Sequence, residues 1–355
     1  MARILITGGA GFIGSHTCSV LIDAGHDLII FDSFINSSPI ALQRVKEITG
    51  LNPTEANQRL KTVEGDIRNR TTLEKVFTTA EHEQRPINAV IHFAGLKSVN
   101  ESLKHPLDYW DVNVNGSHCL LKTMQTNRCK TLIFSSSATI YGLAKSIPIT
   151  EKNTIEPINP YGHTKAAVEK MLLDMYGMNC NWRIASLRYF NPVGAHPSGL
   201  IGESPSGLPN NLFPLVNQVA IGRRKVLQVF GDNWPTPDKT CIRDYIHVMD
   251  LANGHLAALN YLLKKKDEFL TLNLGSGKGY SVLEVVNSFE KATGQKIKYT
   301  IVDRRAGDTA ETVADPTQAK KILGWQTQKS IYEMCCDSWK WQKENPNGFE
   351  EEVLR

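Results

Sequence analysis

Short apolar runs alternate with amphipathic stretches through the first half of this chain. Ile4-Leu5-Ile6 opens the series, and Asp27–Phe31, Asn88–Phe93, Thr131–Ser135 and Trp182–Arg188 follow. Short runs that are apolar on both faces predict strands buried in a parallel sheet. Between them, Ser15–Ala24, Thr72–Ala80, Val114–Thr126 and His163–Tyr176 carry apolar residues at helical spacing. Strands alternating with helices predict right-handed βαβ units, and so an α/β fold with a doubly wound, mostly parallel sheet of Rossmann type. After Arg188 the texture changes. Residues 191–240 are rich in Pro, Gly and Asn, with one expected helix at Asn211–Ile221 and one short strand at Val226–Phe230. Helical patterning returns over His247–Leu263, Val282–Thr293, Pro316–Leu323 and Ser330–Gln342. This half reads as a smaller C-terminal α/β substrate lobe. The expected division is 1–188 and 189–355, with some segments of the second part returning to the first sheet.

Length and charge narrow the picture only a little. A chain of 355 residues suits two domains. The net charge of +4 gives no reason to expect nucleic acid as a partner, although a slight positive excess suits an anionic substrate. No stretch approaches the roughly 18 apolar residues of a spanning helix, so no membrane partner is expected. The chain starts directly on a strand, without the pattern of a cleavable signal. Its seven cysteines are odd in number, scattered and without C-x-x-C spacing, which argues against a disulfide framework or a metal site. A reducing cytoplasmic setting fits best, and the Asn36-Ser37-Ser38 sequon then carries no meaning.

The first candidate chemistry follows the opening strand. Gly8, Gly11 and Gly14 stand three residues apart where the strand turns into a helix. Gly8 permits the tight turn, Gly11 the close approach of a phosphate, and Gly14 close helix–strand packing. The helix N-terminus would then meet a pyrophosphate. Asp32 closes the second strand, where a carboxylate takes a ribose 2′-hydroxyl and repels a 2′-phosphate, so the expected cofactor is NAD and not NADP. Gly65-Asp66-Ile67 follows the expected third strand, at the place of the adenine.

The second stretch is Tyr161-Gly162-His163-Thr164-Lys165. Tyr and Lys at i and i+4 share a helix face. An ammonium near a phenol favours the phenolate and should lower its pKa, so that Tyr161 acts as a base near neutrality. Ser135-Ser136-Ser137 ends the preceding strand, and a hydroxyl there reaches the same substrate oxygen. His92-Phe93-Ala94-Gly95-Leu96-Lys97 closes another strand on the same edge, where ligands of parallel sheets bind. Its small residues permit close approach, and Lys97 is placed to face a sugar.

Together the glycine turn, the strand-end Asp, the serine and Y-x-x-x-K resemble the extended short-chain dehydrogenase/reductase family. H-F-A-G-L-K at 92–97, S-S-S-A-T-I-Y-G at 135–142, R-Y-F-N-P-V-G-A-H at 188–196 and R-D-Y-I-H-V at 243–248 narrow the resemblance to its nucleotide-sugar epimerases, over nearly the whole chain. The resemblance implies a catalytic set of Ser137, Tyr161 and Lys165. It implies an NAD domain over 1–188 that also uses Phe12, Ile13, Ser33, Asn36, Ser37, Ile67, Phe93, Ala94, Gly95, Lys97 and Tyr189. It implies a UDP-sugar domain over 189–355. There Asn191 meets the diphosphate, the helix opened by Asn210, Asn211 and Leu212 offers N–H groups to phosphate, and Gln228, Val229 and Phe230 line the uracil. Arg243 and Arg305 clamp the pyrophosphate, and Asp308 takes the uridine ribose. The implied reaction interconverts UDP-galactose and UDP-glucose through a 4-keto sugar, with hydride returned to the opposite face, in a homodimer. Two features depart from relatives. Val112 stands where many carry Asn, so any polar role there is lost or passes to Asn113. Thr312 stands where several carry Tyr beside the sugar, and a smaller residue there goes with acceptance of N-acetylated sugars. A nucleotide-sugar 4,6-dehydratase is the nearest alternative. Such relatives carry adjacent Asp-Glu after the strand-end Ser or Thr, whereas this chain has Ala138-Thr139. A dinucleotide-sensing protein without catalysis would not need Ser137, Tyr161 and Lys165 together.

Overall fold

The structure, a computed structural model, describes residues 1–349 apart from 179, 180, 206, 208, 210 and 306. Its main sheet has seven strands. β1 (Arg3–Thr7), β2 (Asp27–Asp32), β3 (Leu60–Glu64), β4 (Ala89–His92), β5 (Thr131–Ser137) and β6 (Arg183–Tyr189) run in chain order. Across the sheet the order is β10-β6-β5-β4-β1-β2-β3, where β10 is Glu268–Leu274. β1 pairs in parallel with β2 and β4, and the ladder continues in parallel from β2 to β3 and from β4 through β5 to β6. The order turns back at β1, whose C-terminal end therefore opens a crevice in a doubly wound fold.

Alternation along each strand divides the core. Leu5, Ile29, Val90, Leu132 and Ile184 join one apolar cluster with Leu73, Val76 and Phe77, Leu120, Leu121 and Met124, and Val168 and Leu172. These come from the helices Arg70–His82, Gly116–Thr126 and Pro160–Tyr176. Ile4 and Ile6 are fully buried on the opposite face. The helix Phe12–Asp23 buries Cys18, Leu21 and Ile22 outside that cluster. A sheet covered on both faces explains why its strands are apolar without alternation.

Apolar periodicity located the longer helices, set the starts of three of them too late, and missed Pro39–Ile48 and Pro53–Arg59. The first begins at Phe12, so Gly14 lies inside it. The fourth begins at Pro160 and not His163, because Asn159 caps it by accepting from the Gly162 N–H and Pro160 takes the first position. Ahead of Gly116 the chain forms a π-helical turn over Trp110–Asn115, which a search for 3.6-residue spacing cannot find.

The chain divides into two compact units, but not at a single cut. The first comprises residues 1–142, 154–189 and 252–272, and the second 143–153, 190–251 and 273 onward. The second unit is built on β9 (Ile242–His247). β7 (Asn191–Val193) and β13 (Glu311–Thr312) pair with it in parallel and β11 (Gly279–Ser281) antiparallel. β8 (Leu227–Phe230) and β12 (Tyr299–Val302) form a parallel pair. Phe213, Val216, Leu227, Val229, Tyr245, Val285, Phe289 and Met334 form its apolar core.

His92 joins the first sheet to its helices through polar contacts. It is 2% exposed, with Nδ1 2.6 Å from Thr7 Oγ1 and Nε2 2.9 Å from Ser117 Oγ. Burial, and then the charge of Lys165, push its pKa from 6.5 to about 3. The folded protein thus holds His92 neutral where the unfolded chain would protonate it, so its stabilisation is complete above pH 6.5 and is lost as pH falls toward 3. We expect up to about 1.4 kcal/mol of lost stability per pH unit in that window from this group. Urea unfolding at stepped pH checks it: His92→Gln should show a flatter acid dependence, and an unchanged slope would contradict this account.

Candidate active site

At the C-terminal end of β1 the backbone makes room by lacking side chains. Gly8 has φ +70, and a Cβ there would lie 2.6 Å from the Ala94 nitrogen. A Cβ on Gly14 would lie 2.4 Å from the Gly8 carbonyl oxygen. Gly11 precedes Phe12 as the helix N-cap, with no side-chain cap and no acidic residue in the first turn. The opening N–H groups, including those of Phe12 and Ile13, therefore suit an anion. Asp32 ends β2 beside this turn. Its Oδ2 accepts from the Ala10 N–H at 2.9 Å, and its Oδ1 accepts from Phe34 N–H at 3.0 Å and Ser37 Oγ at 2.8 Å. The carboxylate thus fixes the glycine turn against the loop that carries Ser33, Asn36 and Ser37. A bare helix N-terminus beside a strand-end carboxylate fits the pyrophosphate and ribose of NAD.

Asp66 follows β3 and is gripped at two points by Arg68, at 2.5 Å and 2.9 Å; Arg68 also donates to Asp111 at 2.6 Å. These bonds hold the Asp66 carboxyl below its usual range. Ile67 is buried beside it. After β4, the Phe93 and Ala94 N–H groups both donate to the Thr7 carbonyl, and a Cβ on Gly95 would lie 2.9 Å from Asn113 Oδ1 and 4.0 Å from Lys165 Nζ. Lys97 stands exposed at the end of that loop.

Ser137, Tyr161 and Lys165 come together on one edge of the first unit. Ser137 is the last residue of β5, and its Oγ accepts from Thr139 N–H at 3.2 Å and Thr139 Oγ1 at 3.0 Å. It is also hydrogen-bonded to the Tyr161 phenol. Gly162 makes this meeting possible, since a Cβ there would lie 2.9 Å from the Thr139 carbonyl oxygen. Lys165 Nζ donates to the Ser135 carbonyl at 2.7 Å and lies 4.9 Å from the Phe134 ring centre and 5.9 Å from that of Tyr161. Burial lowers the Lys165 pKa to about 8, against an opposing pull from Glu169. The expected lowering of the phenol is not found. Burial holds Tyr161 above the usual tyrosine value, and only the Ser137 hydrogen bond pulls it down. The ammonium is spent on the Ser135 carbonyl, and desolvation of the phenolate sets the direction.

Tyr189 closes β6 behind this group. Its hydroxyl bonds His255 and the Ser135 side chain, while the His255 ring lies 4.8 Å from Phe93. Val112 packs against the apolar cluster, and the polar role falls to Asn113. Asn113 is 3% exposed; it accepts from Leu96 N–H at 2.7 Å and donates to Leu96 O at 3.1 Å and Thr164 Oγ1 at 3.0 Å. It ties the loop after β4 to the helix of Tyr161. Arg68, Gly162, His255 and the buried pair Glu169–Arg188, at 2.6 Å, carried no signal that patterning alone detects.

In the second unit, Asp308 lies between two arginines. It accepts from Arg305 at 2.9 Å and 3.2 Å and stands 3.7 Å from Arg243 Nη2. Arg243 Nη1 also donates to the Ile242 and Thr309 carbonyls, each at 2.9 Å. The Arg305 guanidinium lies 5.4 Å over the Phe230 ring, at the end of β8 after Gln228 and Val229. Thr312 is in register with Arg243, and its Oγ1 is 2.9 Å from Thr309 Oγ1. Asn191 donates to the Asp244 carbonyl at 3.0 Å. Asn211 stands at the N-cap of the helix that starts at Leu212 but makes no capping bond with its side chain, which donates to Glu203 at 3.2 Å, while Asn210 lies outside the described residues. The Asp244 carboxylate, unread in the sequence, accepts from Ser276 N–H and Oγ, Gly277 N–H and Ala314 N–H, and burial raises its pKa. Among the described residues no group of His, Cys, Asp or Glu is arranged to hold a metal.

A family model described as GDP-mannose 4,6 dehydratase matches residues 5–338. The UDP-glucose 4-epimerase of Bacillus subtilis (strain 168) is 49% identical over 98% of this chain and 98% of its own. The crystal structure of UDP-glucose-4-epimerase from Stenotrophomonas maltophila, with bound NAD and formylated UDP-arabinopyranose, is 45% identical with a TM-score of 0.92, covering 98% of this chain and 99% of its own. That of the Bifidobacterium longum enzyme, in complex with NAD+ and UDP, is 47% identical with a TM-score of 0.91, covering 98% and 100%. With likeness of sequence and fold running from end to end, the chain belongs to the UDP-glucose 4-epimerase family.

Proposed function

We propose that this chain interconverts UDP-galactose and UDP-glucose, with NAD as its resident cofactor. The observation that carries the proposal is the meeting of Ser137, Tyr161 and Lys165 at the C-terminal edge of a parallel sheet that also carries the glycine turn and Asp32. Residues 1–188, with Tyr189, contribute the NAD residues and, through Lys97, Ser137 and Tyr161, the sugar contacts, and the nucleotide-binding residues lie beyond 188. NAD, when bound, supplies the hydride acceptor at the sugar C4 and, oxidised, a positive charge that favours a phenolate. Tyr161 takes the C4 hydroxyl proton while the C4 hydrogen leaves as hydride, and C4 becomes a ketone. Ser137 holds the same oxygen by its hydroxyl. Lys165 contributes its field and its place beside Gly95. On return, Tyr161 gives the proton back while hydride enters from the other face, so there is no net oxidation. Asn191, Asn210, Asn211, Leu212, Arg243 and Arg305 hold the diphosphate. Gln228, Val229 and Phe230 take the uracil, Asp308 the ribose, and Lys97 faces the sugar.

Elimination of water is disfavoured, because Ala138 and Thr139 follow Ser137 and neither is a carboxylic acid. We further assign the chain to the cytoplasm as a homodimer. The family resemblance supports the dimer, and the six free cysteines among the described residues suit a reducing compartment. No helix among the described residues is long and apolar enough to cross a membrane.

Tyr161→Phe should retain bound NAD and the native melting temperature but lose kcat by about 10²-fold or more. Turnover of UDP-galactose, read with cofactor absorbance, checks it. A near-native kcat would remove Tyr161 as the base.

A broader substrate range rests on Thr312. Its side chain is small, and its hydroxyl is drawn back to Thr309. A site rejects a bulkier ligand chiefly by clash, and no ring stands at this position to clash. The chain should therefore also epimerise UDP-N-acetylglucosamine, and Thr312→Tyr should lower kcat/KM for that sugar much more than for UDP-glucose. If the native protein gives no N-acetylated product, the idea ends.

A further inference from the structure

The surface on which Arg305 lies is braced by residues that the nucleotide reading leaves out. Trp234, only 9% exposed, follows β8 and donates its Nε1–H to the Phe230 carbonyl at 3.0 Å. Its own N–H donates to the Lys239 carbonyl at 3.1 Å. Arg304 covers the indole, with its guanidinium 3.9 Å from the ring centre. The same guanidinium donates from Nε to Asn233 Oδ1 at 2.5 Å and from Nη2 to the Asn233 carbonyl. Gly231 lets them close: it has φ +86, and a Cβ there would lie 2.6 Å from Trp234 Nε1 and 2.8 Å from Arg304 Cγ. Its N–H donates to the Val302 carbonyl at 2.8 Å, joining the ends of β8 and β12.

The consequence falls on the next residue. Arg304 is held by a face and a fork at once, and this fixes the backbone from which Arg305 leaves. Arg305 then reaches the Phe230 ring and Asp308. The Phe230 backbone is fixed by Trp234, whose indole N–H donates to its carbonyl. We propose that Arg304 and Trp234 are a positioning pair, which sets Phe230 and Arg305 in the arrangement that receives the nucleoside diphosphate of the substrate without touching it. The proposal rests on the reading of Phe230, Arg305 and Asp308 as nucleotide residues. Holding those groups in place beforehand spares their ordering when the ligand arrives, so the gain appears as affinity. Lysine cannot replace Arg304, since it has neither the planar face nor the fork.

Calorimetric binding of UDP to the protein as isolated, with KM and kcat for UDP-galactose, tests this. Arg304 is exposed, so its variants should fold, and melting temperature confirms it. Arg304→Lys and Arg304→Ala should weaken UDP alike, by about fivefold, and raise KM to match while kcat stays native. Trp234→Phe keeps the ring and loses the bond to Phe230, and should fall between native and Arg304→Ala. Native affinity in Arg304→Lys with a loss in Arg304→Ala would assign a plain charge effect and overturn the proposal. Native affinity in both, or a loss confined to kcat, would overturn it too. If the native protein does not bind UDP, the underlying reading of the site fails instead, and this proposal with it.

Discussion

An ammonium group carried into the interior shapes the first unit. Lys165 is 5% exposed, and the water it gives up is replaced by one carbonyl, that of Ser135, and by the face of Phe134. A charge so placed must be answered by its neighbours. His92 answers by remaining neutral, and Glu169 answers by its carboxylate one turn along the helix. Glu169 is in turn fixed by Arg188, which reaches on to the Tyr141 hydroxyl. The helix of Tyr161 is therefore anchored to β5 and β6 through charge as well as apolar packing. The phenol rides on that anchored helix, and its reactivity is a property of the whole group.

The second unit handles charge differently. Asp244 is buried and surrounded by N–H and O–H donors from Ser276, Gly277 and Ala314, so it organises backbone. Asp308 stays near the surface and holds two arginines that would otherwise repel each other. Arg243 and Arg305 are thereby gathered in one place. The same carboxylate that gathers them also limits their net field.

Much of this was legible in the sequence. Five of the seven strands of the first sheet, the glycine turn, Asp32 and the Tyr–Lys spacing follow from periodicity and from residues with few alternative uses, whereas β10 was not read and β3, half-exposed along its length, received no bounds. What escaped has physical reasons. Helix starts were missed because Pro160 and Asn159 act through backbone geometry and capping, not through apolar spacing. Arg305 reads as a surface charge without a relative beside it, because its partner Phe230 is remote in sequence. The direction of the Tyr161 shift was misjudged because spacing reveals a nearby ammonium but not the carbonyl that engages it. Asn113 was read only as a neighbour of a substituted position, and its three hydrogen bonds needed the fold to bring Leu96 and Thr164 to it.

The π-helical turn over Trp110–Asn115 gives this last contact a hidden dependence on length. A π turn holds one residue more than the α turn it replaces, and each residue of an α-helix advances the side chains by about 100°. Loss of one residue there would leave composition and apolar character almost unchanged, yet rotate Asn113 away from Leu96 and bring a neighbour into its place. The segment can drift in identity, as Val112 shows, far more safely than it can drift in length. In this stretch the count of residues is itself inherited information, as binding on the site as any single side chain.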